Sequence, residues 1–317
     1  MTKQHSKDFW WSSKVEDTDK YASGDDGGSA GAMTKMTTSG TAVGKPAGKP
    51  TMPMTKFKRQ VVEAMGDDDW IQTVFTSGLE NFDGEIPLYL QSNVWLTQLL
   101  QADTGAIPAL SRTIHWQHGK LASENPRRYE SFGCVCKKWV LSVTAGNELP
   151  IQTITLFNYK TKTDEGTGTD VTAFDKLAFI TTAPCRSKDI TISIEGTTIK
   201  YKTLNVEITT VYDEDPEGGD DATLEPRVIS RDVVISIELA DPTIDSTDLI
   251  VNEYNLTEVD PATIDVILVM SAPMSSTVTF SNLRVTKSDE ESLPEKLEVY
   301  VRNLEIGKGT GTTCVLS

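Results

Sequence analysis

The feature that most constrains the fold is a pair of strand-like runs near the middle of the chain, at residues 134–144 and 151–159. Apolar side chains alternate with polar ones through Trp139, Leu141 and Val143, and an Ala-Gly-Asn sequence separates the two runs. An alternation with a period of two, interrupted by a turn sequence, is typical of a β-hairpin. The segment therefore predicts two antiparallel strands rather than a catalytic motif.

Short runs rich in Val, Ile and Thr continue along the rest of the chain. These β-branched residues pack well on a pleated sheet, so the predicted fold class is all-β. The predicted strands are residues 86–90, 114–118, 134–144, 151–159, 189–195, 204–212, 228–239, 263–270, 277–285 and 297–305.

One short helix is predicted at residues 94–102, where Asn93 can cap the first turn. Its apolar face would carry Trp95, Leu96, Leu99 and Leu100. A second short helix is predicted at residues 246–254. The chain is therefore expected to contain few helical residues.

Residues 1–55 differ from the rest because they mix Gly, Ser, Thr, Lys and Pro without apolar periodicity. This composition predicts a long extended low-complexity N-terminal arm, followed by a β domain over residues 56–317 with a loop insert at about 160–184. The aromatic trio Phe9, Trp10 and Trp11 is predicted to anchor the arm on a neighbouring subunit. Folding of the arm onto its own domain is the alternative.

The chain is strongly acidic, with 30 Lys and Arg against 46 Asp and Glu, a formal net charge of -16 and a pI near 4.7. This sign disfavours tight binding to nucleic acid phosphates. The acidic residues cluster at 67–69, 213–221 and 289–291, which taken alone read as solvated surface loops. No run approaches the roughly 18 apolar residues that span a bilayer, so no membrane segment is expected.

The cysteines and histidines give little support to a metal or catalytic site. Cys134 and Cys136 share one face of a predicted strand and are expected to be buried free thiols, because C-x-C alone lacks the second ligand pair of a zinc site. Cys314 lies in a short C-terminal tail. His115 and His118 fall on opposite faces of a predicted strand, which disfavours joint ligation. With no nucleotide-binding or nucleophile motif either, the chain is predicted to be non-enzymatic and without a cofactor.

Two other functions stay open at this point. A carbohydrate-binding or adhesin-like β-sandwich would use exposed aromatic rings as stacking platforms. The candidate rings are Trp70, Trp95, Trp116 and Tyr129. A glycoside hydrolase with paired carboxylates is also possible, since acidic residues are plentiful and their spacing in space is not visible in a sequence.

The order of several short motifs carries a family resemblance over residues 83–310. They are Asp83-Gly84-Glu85-Ile86, the helix Trp95-Leu96-Thr97-Gln98-Leu99-Leu100, Thr113-Ile114-His115-Trp116, Gly133-Cys134, the strand pair 204–212 and 228–239, and the closing pair 278–285 and 297–304. In this order they resemble the tail tube (major tail) proteins of tailed viruses of bacteria and archaea. The long arm, the insert and Cys136 depart from the family pattern.

The resemblance implies a β-sandwich-like or barrel-like subunit that forms rings, commonly hexameric, which stack into a tube assembled in the host cytoplasm and carried in the virion. Other tail proteins would be partners, among them the tape measure, the baseplate or tip and the terminator. Genome DNA would pass through the lumen without specific binding. An inner tube protein of a contractile injection system is the close alternative.

The lumen wall is predicted to be acidic or neutral, because a basic wall would bind the duplex through counterion release and slow its passage. The candidate lumen residues are Asp213, Glu214, Asp215, Asp289 and Glu290.

Overall fold

The structure, a computed structural model, describes residues 9–15, 45, 47–63, 72–100, 111–118, 127–146, 149–158, 160–164, 183–213, 226–240, 263–272, 274–293 and 298–317. Over these ranges the chain is all-β, as predicted, with one short α-helix. The strands are β1 Phe9–Val15, β2 Met54–Glu63, β3 Gln72–Phe82, β4 Gly84–Tyr89, β5 Arg112–His118, β6 Arg127–Thr144, β7 Ile151–Phe157, β8 Lys160–Asp164, β9 Ile190–Ile194, β10 Thr197–Ile199, β11 Tyr201–Asp213, β12 Arg227–Leu239, β13 Ile264–Met270, β14 Ser276–Leu293 and β15 Glu298–Leu316. Helix α1 is Val94–Leu100, and Ser187–Asp189 forms a 3-10 turn.

Strand β6 is the centre of the main sheet, in which every described ladder is antiparallel. Its first half lies between β5 and β8, and its second half lies between β7 and β11. From β11 the sheet continues through β12, β15, β14, β13, β9 and β10. Strand β4 adds to β7, β1 adds to β5, and β2 and β3 form a separate two-stranded ladder. The predicted hairpin is confirmed as the β6–β7 pair.

The sheet curls so that one face of each central strand packs into a single core. Along the second half of β6 the core residues are Trp139, Leu141 and Val143, and alternate residues of β11, β12 and β13 belong to the same core. The β12–β15 ladder ends at Val234 and Gly307, and α1 packs against β6 and β15 in this region. Arg231 of β12 donates from Nη2 to the carbonyl oxygen of Leu99 at 2.9 Å, which ties the end of α1 to the sheet.

Several strands extend beyond their predicted bounds. Strands β14 and β15 pair from Val278↔Leu316 to Leu293↔Glu298, well past the predicted ends. The acidic residues 289–291 therefore lie in a strand and not in a loop, and Cys314 lies in β15 and not in a tail. Backbone hydrogen bonds between β14 and β15 extend the hairpin into a segment whose sequence has no apolar alternation.

The predicted loop insert at 160–184 begins as a strand instead. Residues Lys160–Asp164 form β8, which pairs with the first half of β6 along the edge that β7 follows further on. Buried Asn158 lies at the break between β7 and β8. The sequence of β8 has no apolar alternation, so the strand could not be predicted from it. Backbone pairing with the edge of β6 sets its position instead. The predicted helix at 246–254 lies outside the described residues, whereas that at 94–102 is confirmed as α1 up to Leu100.

Lys45 and residues 47–53 lie along the outer edge of β4. Backbone hydrogen bonds join Lys45 to Tyr89, Ala47 to Pro87 and Thr51 to Glu85. Met52 belongs to the core, and a side chain at Gly84 would overlap the backbone at Pro53. The boundary at residue 55 stays a prediction, but the segment just before it forms part of the edge of the sheet.

Gln98 of α1 satisfies the backbone of β6 at the point where β6 changes its partner strands. Its Nε2 donates to the carbonyl oxygen of Cys134 at 3.0 Å, and its Oε1 accepts from the backbone nitrogen of Cys136 at 3.2 Å. Both backbone groups are buried, and a register shift in the β6–β7 ladder follows directly after Cys136. The amide side chain thus joins the helix to the central strand.

We expect Gln98→Leu to lower the free energy of unfolding by about 2–4 kcal/mol, because two buried backbone groups lose this partner. Leucine keeps the helix propensity and most of the volume. Thr97→Ala, on the exposed side of the same helix, is the control and should change stability by less than about 1 kcal/mol. Chemical denaturation measures both, and equal stability of the two variants would show that the Gln98 contacts contribute little.

Candidate assembly surfaces

The outward side of the central strands forms one continuous polar face. We define the polar face by Thr153 and Thr155 of β7, Lys138, Val140, Ser142 and Thr144 of β6, Thr203, Asn205, Glu207 and Thr209 of β11, and Asp232, Val234, Ser236 and Glu238 of β12. Ladder pairing places these residues side by side across four adjacent strands, and none of them is buried. Apart from two valines, every position is polar. The intervening residues of the same strands point into the core.

Side-chain contacts across the strands order this face. Lys138 Nζ lies 2.6 Å from Glu207 Oε1, and Ser142 Oγ donates to Asn205 Oδ1 at 3.0 Å. Glu238 accepts from Thr203 Oγ1 at 3.3 Å and lies 3.5 Å from Lys202 Nζ. Such cross-strand pairs each contribute modestly to stability.

The polar face carries a small acidic excess, since Glu207, Asp232 and Glu238 stand against Lys138 and against Lys202, which contacts Glu238. These three carboxylates were not among the predicted lumen residues, because those residues were chosen from acidic clusters in the sequence. The alternation of apolar and polar residues along the strands could have identified them. Since Leu204, Val206 and Ile208 point into the core, the residues between them point outward. The acidity of this face comes from residues brought together by strand pairing.

The structure places the predicted lumen residues in different regions. Asp213 is exposed at the end of β11, in the same outward row as Glu207. Glu214 and Asp215 lie outside the described residues. Asp289 and Glu290 lie in β14, opposite Asn303 and Val301 of β15. Asp213 thus lies in this outward row beyond Thr209, opposite Arg227 of β12 and outside the polar face as defined above.

Strand edges form the second candidate surface. In the described part of the chain, β1 pairs with β5 on one side and with no strand on the other. Residues 298–302 of β15 pair with β14 alone among the described strands. Edges of this kind are templates for pairing with another chain.

The aromatic trio predicted to anchor the arm lies in β1. Phe9, Trp10 and Trp11 stand opposite His118, Gln117 and Trp116 of β5 in the same chain. Their role in assembly stays a prediction.

Two predicted sugar-stacking platforms are not accessible. Trp95 is fully buried, and Trp116 is 2% exposed. Tyr129 stacks on the Trp116 ring, with centroids 5.1 Å apart and planes inclined by 8°. Trp70 lies outside the described residues. A ring that stacks on a sugar must expose a face to solvent, so Trp95 and Trp116 act as packing residues.

The cysteines of the central region are buried free thiols, as predicted. The Cys134 thiol donates to Ser131 O and the Cys136 thiol to Lys138 O, each at 3.4 Å. Burial raises the pKa of Cys136 above its usual range and that of Cys314 to about 12, so both stay protonated at neutral pH. The described residues contain no group of three or more His, Cys, Asp and Glu side chains that could hold a metal ion.

No protein-family model matches this chain, and no curated protein matches it in sequence. Among the residues described, no helix has the length and apolar content needed to cross a membrane. Function is therefore inferred from the fold and from the two surfaces described above.

We expect Trp116→Ala to lower the free energy of unfolding by about 3–5 kcal/mol, because it empties a packed site and removes the stacking partner of Tyr129. Thr198→Ala, at an exposed position of β10, is the control and should be nearly neutral. Thermal and chemical denaturation measure both. A Trp116→Ala protein that keeps wild-type stability would restore this ring as a candidate binding platform.

Proposed function

We propose that the protein is a structural subunit of a viral tail tube, which assembles with itself into stacked rings around a lumen. In this proposal the polar face lines the lumen, and strand edges and projecting hairpins join the subunits. The protein is a component of the virion and performs no catalysis. Tape measure, baseplate or tip, and terminator proteins are the further partners that the family resemblance implies.

The polar face is the observation that carries the proposal. It spans adjacent strands, is backed by the main core, and consists mostly of short Thr, Ser and Asn side chains between charged residues. Small polar side chains make a smooth, hydrated wall. When such sheets join edge to edge into a ring, each polar face can line the bore, and the strand edges within the ring are paired.

The charge of this face suits a passage for DNA. Double-stranded DNA binds to lysine and arginine through the release of counterions, and each such contact slows its movement. Here Glu207 pairs with Lys138 at 2.6 Å and Glu238 lies 3.5 Å from Lys202, so both lysines are neutralised and the exposed carboxylate of Asp232 leaves the face with a negative charge that repels phosphates. The duplex would therefore slide along the wall without binding to it.

Assembly of the purified protein is the first test. We expect sedimentation and negative-stain microscopy to show rings or hollow rods of uniform bore. Because each chain carries a formal charge of -16, salt should favour assembly by screening the repulsion between subunits. A strictly monomeric protein at high concentration in every salt condition would contradict the proposal, and monomers that bind a glycan array would favour the adhesin alternative.

Added positive charge on the polar face should make assembled tubes bind DNA. The variant Ser142→Lys/Thr203→Lys adds two lysines at exposed positions of this face, and Thr191→Lys/Thr198→Lys adds two at exposed positions of β9 and β10. We expect the first variant to retain short DNA duplexes at least about tenfold more tightly at low salt, because its lysines surround the lumen.

Co-sedimentation of labelled duplexes with the tubes measures this difference, and added salt should release the DNA from the first variant. Equal retention by both variants would show that the polar face does not line the path of the DNA.

A further inference from the structure

We propose that two apolar sites at opposite ends of the polar face bind each other between copies of the chain. The first apolar site is Val211 with Ile229, and the second apolar site is Leu149. In each junction the first site of one copy packs on the second site of the next, head to tail. The inference rests on the proposed self-assembly and names the side chains that join one ring to the next.

Exposed apolar side chains mark the two ends of the polar face. Five large apolar side chains are exposed among the described residues. Val211 and Ile229, which are 45% and 53% exposed, lie at one end of the face, and Leu149, which is 39% exposed, lies at the other. The remaining two, Phe82 and Val315, lie on none of its four strands. Single exposed apolar residues are common on proteins, but sites at both ends of one face are what a head-to-tail contact requires.

A β-bulge turns Ile229 outward. In β12 the odd-numbered residues of 233–239 point into the core. The β11–β12 ladder shifts register after Val211, and Ile229 is the extra residue. The shift reverses the alternation, so Val228 is buried and Ile229 is exposed close to Val211. Without the bulge, Ile229 would continue the inward row.

Contacts on the inner side hold the first apolar site in place. The Tyr212 hydroxyl donates to the carbonyl oxygen of Cys136 at 3.1 Å, and the Tyr212 ring lies against Phe157 with centroids 5.3 Å apart. Arg231 binds the carbonyl oxygen of Leu99 in α1. The exposed pair is therefore presented in a fixed position, which lowers the entropy cost of a contact.

The second apolar site lies at the far end of the same strands. Leu149 belongs to the turn between β6 and β7, beyond Thr144, which pairs with Thr203 of β11. Val211 lies eight residues further along β11, which corresponds to about 26 Å at roughly 3.3 Å per residue. The two sites of one chain are too far apart to touch, so each needs a second copy.

The exposed charges beside the two sites differ in sign among the described residues. Near the first site Asp213 and Asp232 are exposed together with Arg227. The 3-10 turn lies beside the second site, since Ser187 Oγ donates to the carbonyl oxygen of Gly146 at 3.0 Å. There the exposed charged residues are basic and two carboxylates are partly buried, the set being Arg186, Lys188, Lys200, Lys202, Asp189 and Glu238. Charge attraction thus adds to the apolar contact between copies.

A single junction between two subunits is small and would not hold them together alone. When one ring meets another, every subunit makes the same contact at once, so weak contacts combine into a stable junction. Rings are therefore expected to form first and to stack second.

Cross-linking between the two sites tests the inference. The chain carries Leu149→Cys and Ile229→Cys, together with Cys314→Ser because that thiol is only partly buried. The protein is assembled and treated with a short bismaleimide, which cannot span the two sites of one chain. We expect the monomer band to be lost in favour of a ladder of dimers, trimers and longer species, because each first site is linked to the second site of the next copy.

Three control chains, all with Cys314→Ser, accompany this measurement. Leu149→Cys alone and Ile229→Cys alone should give no cross-linked product, and a dimer from either would show contact between like sites and overturn the head-to-tail arrangement. Leu149→Cys/Val315→Cys carries its second thiol at a position that is 57% exposed but pairs with Thr279 of β14, and should give no ladder.

Charge substitution gives an independent measurement. Ile229→Asp and Leu149→Lys each place a charge against an apolar side chain, and we expect either one to leave the rings unstacked. The double variant Ile229→Asp/Leu149→Lys pairs the two charges at every junction and should restore rods of wild-type length in negative-stain microscopy. Circular dichroism verifies that each variant is folded. Single variants that form rods of wild-type length would overturn the inference.

The outcomes separate this inference from the proposed function. Rods that give the ladder support both. Rings or rods that form without a ladder overturn the head-to-tail contact but leave the tube proposal intact. A ladder from open chains of single subunits, with no rings, supports the contact and contradicts the tube. Subunits that stay monomeric overturn both.

Discussion

The fold depends on the backbone pairing of β6, an 18-residue strand that serves four others. Its first half joins β5 and β8, and its second half joins β7 and β11, so the two parts of the sheet meet in one continuous strand. The change of partners leaves buried backbone groups near Cys134 and Cys136, and Gln98 satisfies them from α1. The helix is therefore a part of the sheet's hydrogen bonding as well as of the core.

From β6 outward, strict alternation separates two surfaces with different roles. The inward residues build the core that fixes the curl of the sheet, and the outward residues build a polar face whose contacts run between strands. The same backbone thus supports the core on one side and presents carboxylates on the other. In the proposed tube, the polar face would need no cavity or catalytic group, since it would contribute its shape and its charge.

Much of this architecture could be predicted from the sequence where apolar alternation marks a strand. The hairpin around Trp139, the strands that carry Leu204 and Ile235, and helix α1 were predictable because their buried residues have a clear period. Strands β1 and β8 lack that signal, since their places are set by the edges that β5 and β6 offer. The acidic polar face was missed because Glu207 and Asp232 are neighbours only through pairing in space.

Size-selective labelling distinguishes a polar face that lines a closed lumen from one that faces outward. Ser142→Cys places a thiol at an exposed position of this face, in a protein that also carries Cys314→Ser. If the polar face lines the lumen, a small maleimide should label this thiol in assembled tubes, whereas a maleimide coupled to a large dextran should label it only in unassembled subunits. Equal labelling of assembled tubes by both reagents would place the polar face on the outside of the tube.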